Sequence, residues 1–130
     1  MVSTGGNERV LYVDDEESIA MMVERSLSRL GYDVVAVSNP CDALDLFKSA
    51  PESFDLVLTD QTMPSMTGVE LAREVLRIRP NTPVVLCTGY SHTVNEEIAR
   101  DMGIADFVMK PISKSVLSEV IRRALDNRNN

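Results

Sequence analysis

RVLYVDDEES (residues 9–18) runs from an apolar strand-like segment straight into four consecutive acids, Asp14 to Glu17. The segment VLYV does not alternate with polar residues, the pattern of a strand covered on both faces. Three later stretches repeat the design. DLVLT (55–59) is followed by Asp60, PVVLC (83–87) by Thr88, and ADFVM (105–109) by Lys110. Asp14, Asp15, Asp60 and Lys110 thus reach the ends of three different strands, which points to one shared acidic pocket. Carboxylates that close together repel unless a cation lies between them. A metal-bound carboxylate beside a lysine is equipped to handle phosphate.

Strand and helix alternate five times along the chain. After RVLYV (9–13), residues 16–30 have helical spacing of Ile19, Met22, Val23, Ser26, Leu27 and Leu30, with Gly31 placed to end the helix in the left-handed conformation. DVVAV (33–37) is the second strand. Asn39-Pro40 supplies an N-cap and a first-turn proline for a helix carrying Ala43, Leu44 and Phe47. A loop broken by Pro64 and Gly68 follows the third strand, and 67–78 is the third helix. A weaker helix spans about 93–102 and stops at Gly103. Ser113 caps the last helix, whose buried stripe is expected at Val116, Leu117, Val120, Ile121 and Ala124.

Strands 1, 3 and 4 are continuous Val/Leu runs, the mark of a parallel sheet covered by helices on both sides. Helical crossovers then give a three-layer α/β sandwich with right-handed connections. In open sheets of this class ligands bind beyond the carboxyl ends of the strands, where strand order reverses. The reactive residues all lie at carboxyl ends, so fold and chemistry agree on one location. Residues 9–126 form one domain. Residues 1–8 read as a linker or frayed end, and 127–130 as a C-terminal tail.

The 130 residues, 44% apolar, suffice for a single core. A net charge of −7 argues against direct nucleic-acid binding, since nothing here neutralises a run of phosphates. Cys41 and Cys87 sit among apolar residues and are expected as buried free thiols in a reducing cytoplasm. No stretch approaches the ~20 apolar residues of a membrane span, and MVSTGGNER lacks the apolar core of a signal peptide.

Each candidate has a plainer reading beside the chemical one. Acids at a helix start complement the helix dipole, which accounts for Glu16 and Glu17. Asp14 and Asp15 belong to the loop itself, where Mg²⁺ suits them because it accepts one or two carboxylates plus waters and phosphate oxygens. Asp60 alone is an ordinary turn former; beside an acidic pair and a lysine it is a nucleophile able to form an acyl phosphate. Lys110 is either a snorkelling surface lysine or a ligand for a phosphoryl oxygen. Thr88 is an ST-turn residue or a hydroxyl donor to a second phosphoryl oxygen. His92, the sole histidine, reads as a surface residue. Met21, Met22, Met63, Met66, Met102 and Met109 read as core or loop packing.

The set VDD (13–15), TDQTMPSMTG (59–68), CTG (87–89) and MKP (109–111) closely resembles the receiver domains of bacterial two-component response regulators, across about residues 9–126. The resemblance implies a flavodoxin-like (βα)5 fold with a five-stranded parallel sheet in the order 2-1-3-4-5. It implies that Asp60 is the phosphoacceptor, fed from a phosphohistidine of a sensor histidine kinase or a histidine phosphotransfer domain. Asp14, Asp15, Asp60 and the backbone carbonyl of Thr62 then hold Mg²⁺ (or Mn²⁺). Lys110 and Thr88 grip the phosphoryl group, with a cis Lys110-Pro111 bond. Phe107 matches the aromatic that turns inward as Thr88 moves toward the phosphate; lacking a hydroxyl, it acts by packing alone. Thr62 and Tyr90 stand where the family tunes access of hydrolytic water, and the bulk of Tyr90 predicts slow self-dephosphorylation. Such a domain is a phosphoacceptor that promotes its own phosphorylation and dephosphorylation rather than an enzyme.

Three rivals share features of the pattern. A flavodoxin-like electron carrier needs hydroxyls and glycine in its first loop, where this chain has DDEES. A haloacid-dehalogenase-like hydrolase places its nucleophile after the first strand in a DxD arrangement and carries a cap domain. A phosphorylation-independent docking module leaves the complete set of key side chains unexplained. No DNA-binding or effector module follows residue 126, so output is expected from the domain's own surface, around the helix at 93–102, strand 5 and the last helix. The segments GGNERVLYVDDEES (5–18) and VVLCTGYSHTVNEEIARDMGIADFVMKP (84–111) resemble receivers fused to hybrid sensor histidine kinases, which leaves open an excised domain as well as a stand-alone regulator. The downstream protein partner is not specified. Arg100, Asp101, Asp106, Arg122 and Arg123 can either form ion pairs across a two-fold axis in a phosphorylation-dependent homodimer or stand as solvated charges.

Overall fold

A computed structural model of the chain describes residues 6–88, 100–109 and 113–127. Its strands are β1 (Arg9–Val13), β2 (Asp33–Val37), β3 (Leu56–Asp60), β4 (Val84–Thr88) and β5 (Asp106–Met109). They form one parallel sheet in the order β2-β1-β3-β4-β5. The helices are α1 (Glu17–Arg29), α2 (Pro40–Ser49), α3 (Gly68–Ile78) and α4 (Lys114–Asn127). Residues 100–102 are also helical, and Gly103, at φ +104°, closes that turn by donating its N–H to the Arg100 carbonyl.

Side-chain alternation along the strands divides the core in two. Leu11, Val13, Val57 and Leu86 join Phe47 of α2 and Leu71 of α3 on one face. Val10, Tyr12, Leu58 and Val85 join Leu27 of α1 and Ile121 of α4 on the other. β3 and β4 are buried at every residue, as unbroken apolar runs require. Both strands extend one residue beyond the sequence-based bounds, so Asp60 and Thr88 are themselves paired strand residues.

Local signals act as expected at several ends. Asn39 Oδ1 accepts from the N–H groups of Cys41 and Asp42 at 2.8 and 3.3 Å, capping α2. Gly31, at φ +99°, follows α1, and its N–H reaches the Ser28 carbonyl. Ser113, expected as the cap of the last helix, precedes α4 with its carbonyl accepting from the Leu117 N–H and its hydroxyl meeting the Ser115 hydroxyl at 3.1 Å.

Other expectations are corrected. Met22, Leu30 and Val116 have helical spacing but are exposed. Burial in α1 narrows to Val23 and Leu27, and in α4 it shifts to Leu117, Val120, Ile121, Ala124 and Leu125. The two helices share one sheet face, so each covers only a narrow strip of it. Met21 and Met109 are also exposed, whereas Met63 is buried. Cys87 is a buried free thiol, but Cys41 is exposed, because α2 turns Pro40, Ala43, Leu44 and Phe47 inward instead. Gly6 and Glu8, placed in a linker, are tied to the domain: the Gly6 N–H donates to the Leu30 carbonyl and the Glu8 carbonyl accepts from Asp33. Three of the charges weighed either for a two-fold interface or as solvated charges, Asp106, Arg122 and Arg123, have ion-pair partners within the chain. Arg122 pairs with Glu8 and Asp126, and Arg123 with Asp106.

Candidate functional site

Strand register brings the acids together. β1 and β3 are neighbours with Val13 opposite Thr59, so the next residues along, Asp14 and Asp60, stand side by side at the carboxyl edge. Asp14 lies on the same face as Tyr12, and Asp60 on the same face as Leu58. Adjacent strands are only about 4.8 Å apart. Asp15 adds a third carboxylate from the loop, and ligand oxygens of all three lie within 4.8 Å of one another. Asp14 is 1% and Asp60 4% exposed, while Asp15 faces solvent. Strand order reverses at β1 and β3, so this is the switch point at which such sheets bind ligands.

Asp14 is held from three sides. Its N–H donates to the Val37 carbonyl, extending the β1–β2 pairing. Its Oδ1 accepts from the Glu16 N–H at 2.9 Å, and its Oδ2 accepts from the Tyr12 hydroxyl at 2.7 Å. Burial, reinforced by the hydrogen bond to Asp14, pushes the Tyr12 phenol far above its ordinary value, so it stays protonated as a donor. Tyr12 was absent from the sequence-based site. The signal was there: a tyrosine inside a buried run, two residues before an acid, needs a partner for its hydroxyl. Glu16 and Glu17 are exposed at the start of α1 and make no side-chain cap, in keeping with a dipole role.

Asp60 is followed by an anchored loop. The Gln61 N–H donates to the Cys87 carbonyl, and the Gln61 carbonyl accepts from the Gly68 N–H at 3.0 Å. Gln61 Oε1 accepts from the Val69 N–H at 2.9 Å. Thr67 and Glu70 form a reciprocal capping box that starts α3, and its hydrogen bonds lower the Glu70 pKa. Gly68 is required by close approach: a Cβ there would stand 2.5 Å from the Asp60 carbonyl oxygen and from Leu86 Cδ1. Thr62 is exposed within this loop, beside buried Met63.

On the far side, Thr88 ends β4 opposite Met109 and is 6% exposed. Its hydroxyl donates to Met109 Sδ at 3.3 Å. Phe107 is half-buried on β5 and packs against the core cluster on the sheet face that α2 and α3 cover, and the Arg100 guanidinium lies 5.7 Å from its ring centre. Lys110, Pro111, Tyr90 and His92 lie outside the described residues.

Three oxygen donors of this kind suit a small hard divalent cation. Two of them are buried carboxylates on adjacent strands, and a cation relieves their mutual repulsion. Among the described residues no other group of histidine, cysteine, aspartate or glutamate gathers this closely. No described helix is long and apolar enough to cross a membrane.

Fold and site together define a doubly wound α/β domain with a carboxylate cluster at its switch point. Residues 10–122 match the family model of the response regulator receiver domain, and the chain belongs to that family. It is 30% identical over 117 residues to the chemotaxis protein CheY of Thermotoga maritima, covering 89% of this chain and 96% of that protein. It is 34% identical over 118 residues to the probable transcriptional regulator ycf27 of Porphyridium aerugineum, covering 91% of this chain but 48% of that protein. Thus the chain spans about half the length of that relative. A solved receiver domain from Clostridium thermocellum superposes with a TM-score of 0.89 at 29% identity, over 94% of this chain and 97% of that one.

Proposed function

We propose that this domain accepts a phosphoryl group on Asp60 from a phosphohistidine and signals by a change in its own surface. The observation that carries the reading is the convergence of Asp14, Asp15 and Asp60 at the sheet's switch point, two of them buried. Asp14, Asp15, Asp60 and the Thr62 carbonyl hold Mg²⁺, with Mn²⁺ as a substitute. When bound, the ion offsets carboxylate charge and that of the phosphoryl oxygens.

An Asp60 carboxylate oxygen attacks phosphorus in line with the leaving imidazole. The new O–P bond forms as the P–N bond breaks, and the electron pair leaves with the imidazole nitrogen, which is then protonated. Thr88 turns its hydroxyl from Met109 to a phosphoryl oxygen, and Lys110 binds another. Movement of Thr88 opens space toward β5, into which Phe107 packs. In the return reaction water attacks phosphorus, the O–P bond to Asp60 breaks, and inorganic phosphate leaves. Thr62 and Tyr90 tune access of that water and so the rate of hydrolysis. The donors are a sensor histidine kinase or a histidine phosphotransfer domain, and the setting is the cytoplasm.

Incubation of the chain with acetyl phosphate or phosphoramidate and Mg²⁺ tests the reading by mass. One phosphoryl group is expected, absent with EDTA and absent in Asp60→Asn. A chain that gains no mass under these conditions is a phosphorylation-independent docking module instead.

A further inference from the structure

Phosphoryl transfer as described gives Tyr12 no task, yet its phenol is fully buried and ends on the carboxylate cluster. We infer that Tyr12 is a positioning residue for the cation: its hydroxyl fixes the Asp14 carboxylate in its ligating orientation before the ion arrives. The inference rests on the reading that Asp14, Asp15 and Asp60 hold a divalent cation.

Tyr12 lies on β1 and Asp14 just past its end, where the backbone pairing with β2 continues, so the two side chains project to the same face. The ring packs in the core with Val23 and Leu27, a role phenylalanine would fill equally well. Only the hydroxyl distinguishes the two. Burying it is costly unless it is bonded, and its bond is to Asp14 Oδ2 at 2.7 Å. The other carboxylate oxygen, Oδ1, is taken by the Glu16 N–H at 2.9 Å. With one donor on each oxygen, neither rotation about the Cα–Cβ bond nor that about the Cβ–carboxyl bond is free. A carboxylate offers about four lone-pair positions, so each oxygen keeps capacity for a metal ion.

The restraint matters because of Asp60. Its carboxylate stands on the neighbouring strand, and repulsion would turn an unrestrained Asp14 away from it. The ion would then have to reorder the ligand as it bound. The phenol removes that step, as partners of metal-ligating groups do elsewhere by orienting the ligand. Asp15 is exposed and has no comparable restraint from the core. Asp14 is therefore a prearranged ligand, and Tyr12 supplies the restraint on its Oδ2.

Mn²⁺ binding to the full chain, followed by the electron paramagnetic resonance of free Mn²⁺, tests this with four proteins: the unsubstituted chain, Tyr12→Phe, Tyr12→Leu and Asp14→Asn. Tyr12→Phe is expected to bind about 10-fold more weakly. Tyr12→Leu should weaken at least as much, and Asp14→Asn should lose measurable binding. The Mg²⁺ concentration for half-maximal phosphorylation by acetyl phosphate should rise in Tyr12→Phe by the same factor, with the plateau rate retained. Unaltered affinity in Tyr12→Phe, with loss in Asp14→Asn, overturns the inference and leaves the cation site standing. Weakening in Tyr12→Leu alone assigns the effect to packing and also overturns it, as does a lowered plateau at unchanged half-saturation. No Mn²⁺ binding by the unsubstituted chain overturns the cation reading itself.

Discussion

The Glu8 carboxylate and the Arg122 guanidinium meet at two points, 2.6 and 3.2 Å, across 114 positions of sequence. The pair fastens the lead-in of β1 to α4, and Arg122 also reaches Asp126 at 3.0 Å. Both members are largely shielded from solvent, so this pair exceeds the usual small contribution of a surface ion pair. Glu8→Gln is expected to lower stability by about 1–2 kcal/mol, measured by urea unfolding at neutral pH.

The same pair predicts an acid dependence. The hydrogen bond from Arg122 is the largest influence on Glu8 and holds its pKa below the ordinary 4.5. A carboxyl with a depressed folded-state pKa contributes fully above its unfolded value and loses that contribution as pH falls through the folded value. The stability difference between the unsubstituted chain and Glu8→Gln should therefore be constant above pH 4.5 and shrink below it. A difference that stays constant well below that pH contradicts the assignment.

Gly68 is predicted to tolerate no side chain. Its φ is ordinary; what excludes a Cβ is the 2.5 Å approach to the Asp60 carbonyl and to Leu86 Cδ1. Backbone on one side cannot yield as a flexible side chain would. Gly68→Ala should cost about 1–3 kcal/mol and move the end of β3. Because that end carries Asp60, phosphorylation by acetyl phosphate should slow as well. A variant that melts lower but phosphorylates at an unchanged rate would place the strain in α3 alone.

Much of this was legible in the chain because a buried parallel strand is an unbroken apolar run and its end is marked by the first charge. VLYV before Asp14 and LVLT before Asp60 gave the strands, their burial and the edge where the acids meet. Helical spacing was less informative. It says that Met22 and Leu30 share a side of α1 with Val23 and Leu27, but not how wide a strip the sheet covers once α4 lies beside it. Cys41 misled for a related reason, since an apolar neighbourhood in sequence is not a neighbourhood in space. Tyr12 and Met109 were missed as polar partners because a hydroxyl–carboxylate or hydroxyl–sulfur contact depends on register, which single residues do not announce.

Metal removal should be visible as stability. An ion bound only by the folded state stabilises it by about 2.7 kcal/mol when present at 100 times its dissociation constant. Mg²⁺ is therefore expected to raise the melting temperature of the unsubstituted chain relative to EDTA. Asp14→Asn, which loses a buried ligand, should show little or none of this rise. Equal shifts in both proteins would mean that Mg²⁺ acts elsewhere on this acidic surface.

On the proposed mechanism, the contact between Thr88 and Met109 is expected to set the threshold for the switch. In the unphosphorylated chain the Thr88 hydroxyl is bonded to a thioether sulfur, a weak acceptor, at 3.3 Å. Turning toward a phosphoryl oxygen exchanges that contact for a charge-assisted one. Met109→Leu keeps comparable volume on an exposed side chain but removes the acceptor, so only the resting state loses a hydrogen bond. With a loss of about 0.5–1 kcal/mol, the phosphorylated-like state gains roughly 2- to 5-fold in relative population. Beryllofluoride, which forms a stable mimic of the acyl phosphate on aspartate, should bind Met109→Leu tighter by that factor at saturating Mg²⁺. Thr88→Val removes the donor from both states and should cancel the gain: adding Met109→Leu to Thr88→Val should leave beryllofluoride affinity unchanged. An equal gain in both backgrounds would show that Met109 acts through packing on β5 and not through the Thr88 hydroxyl.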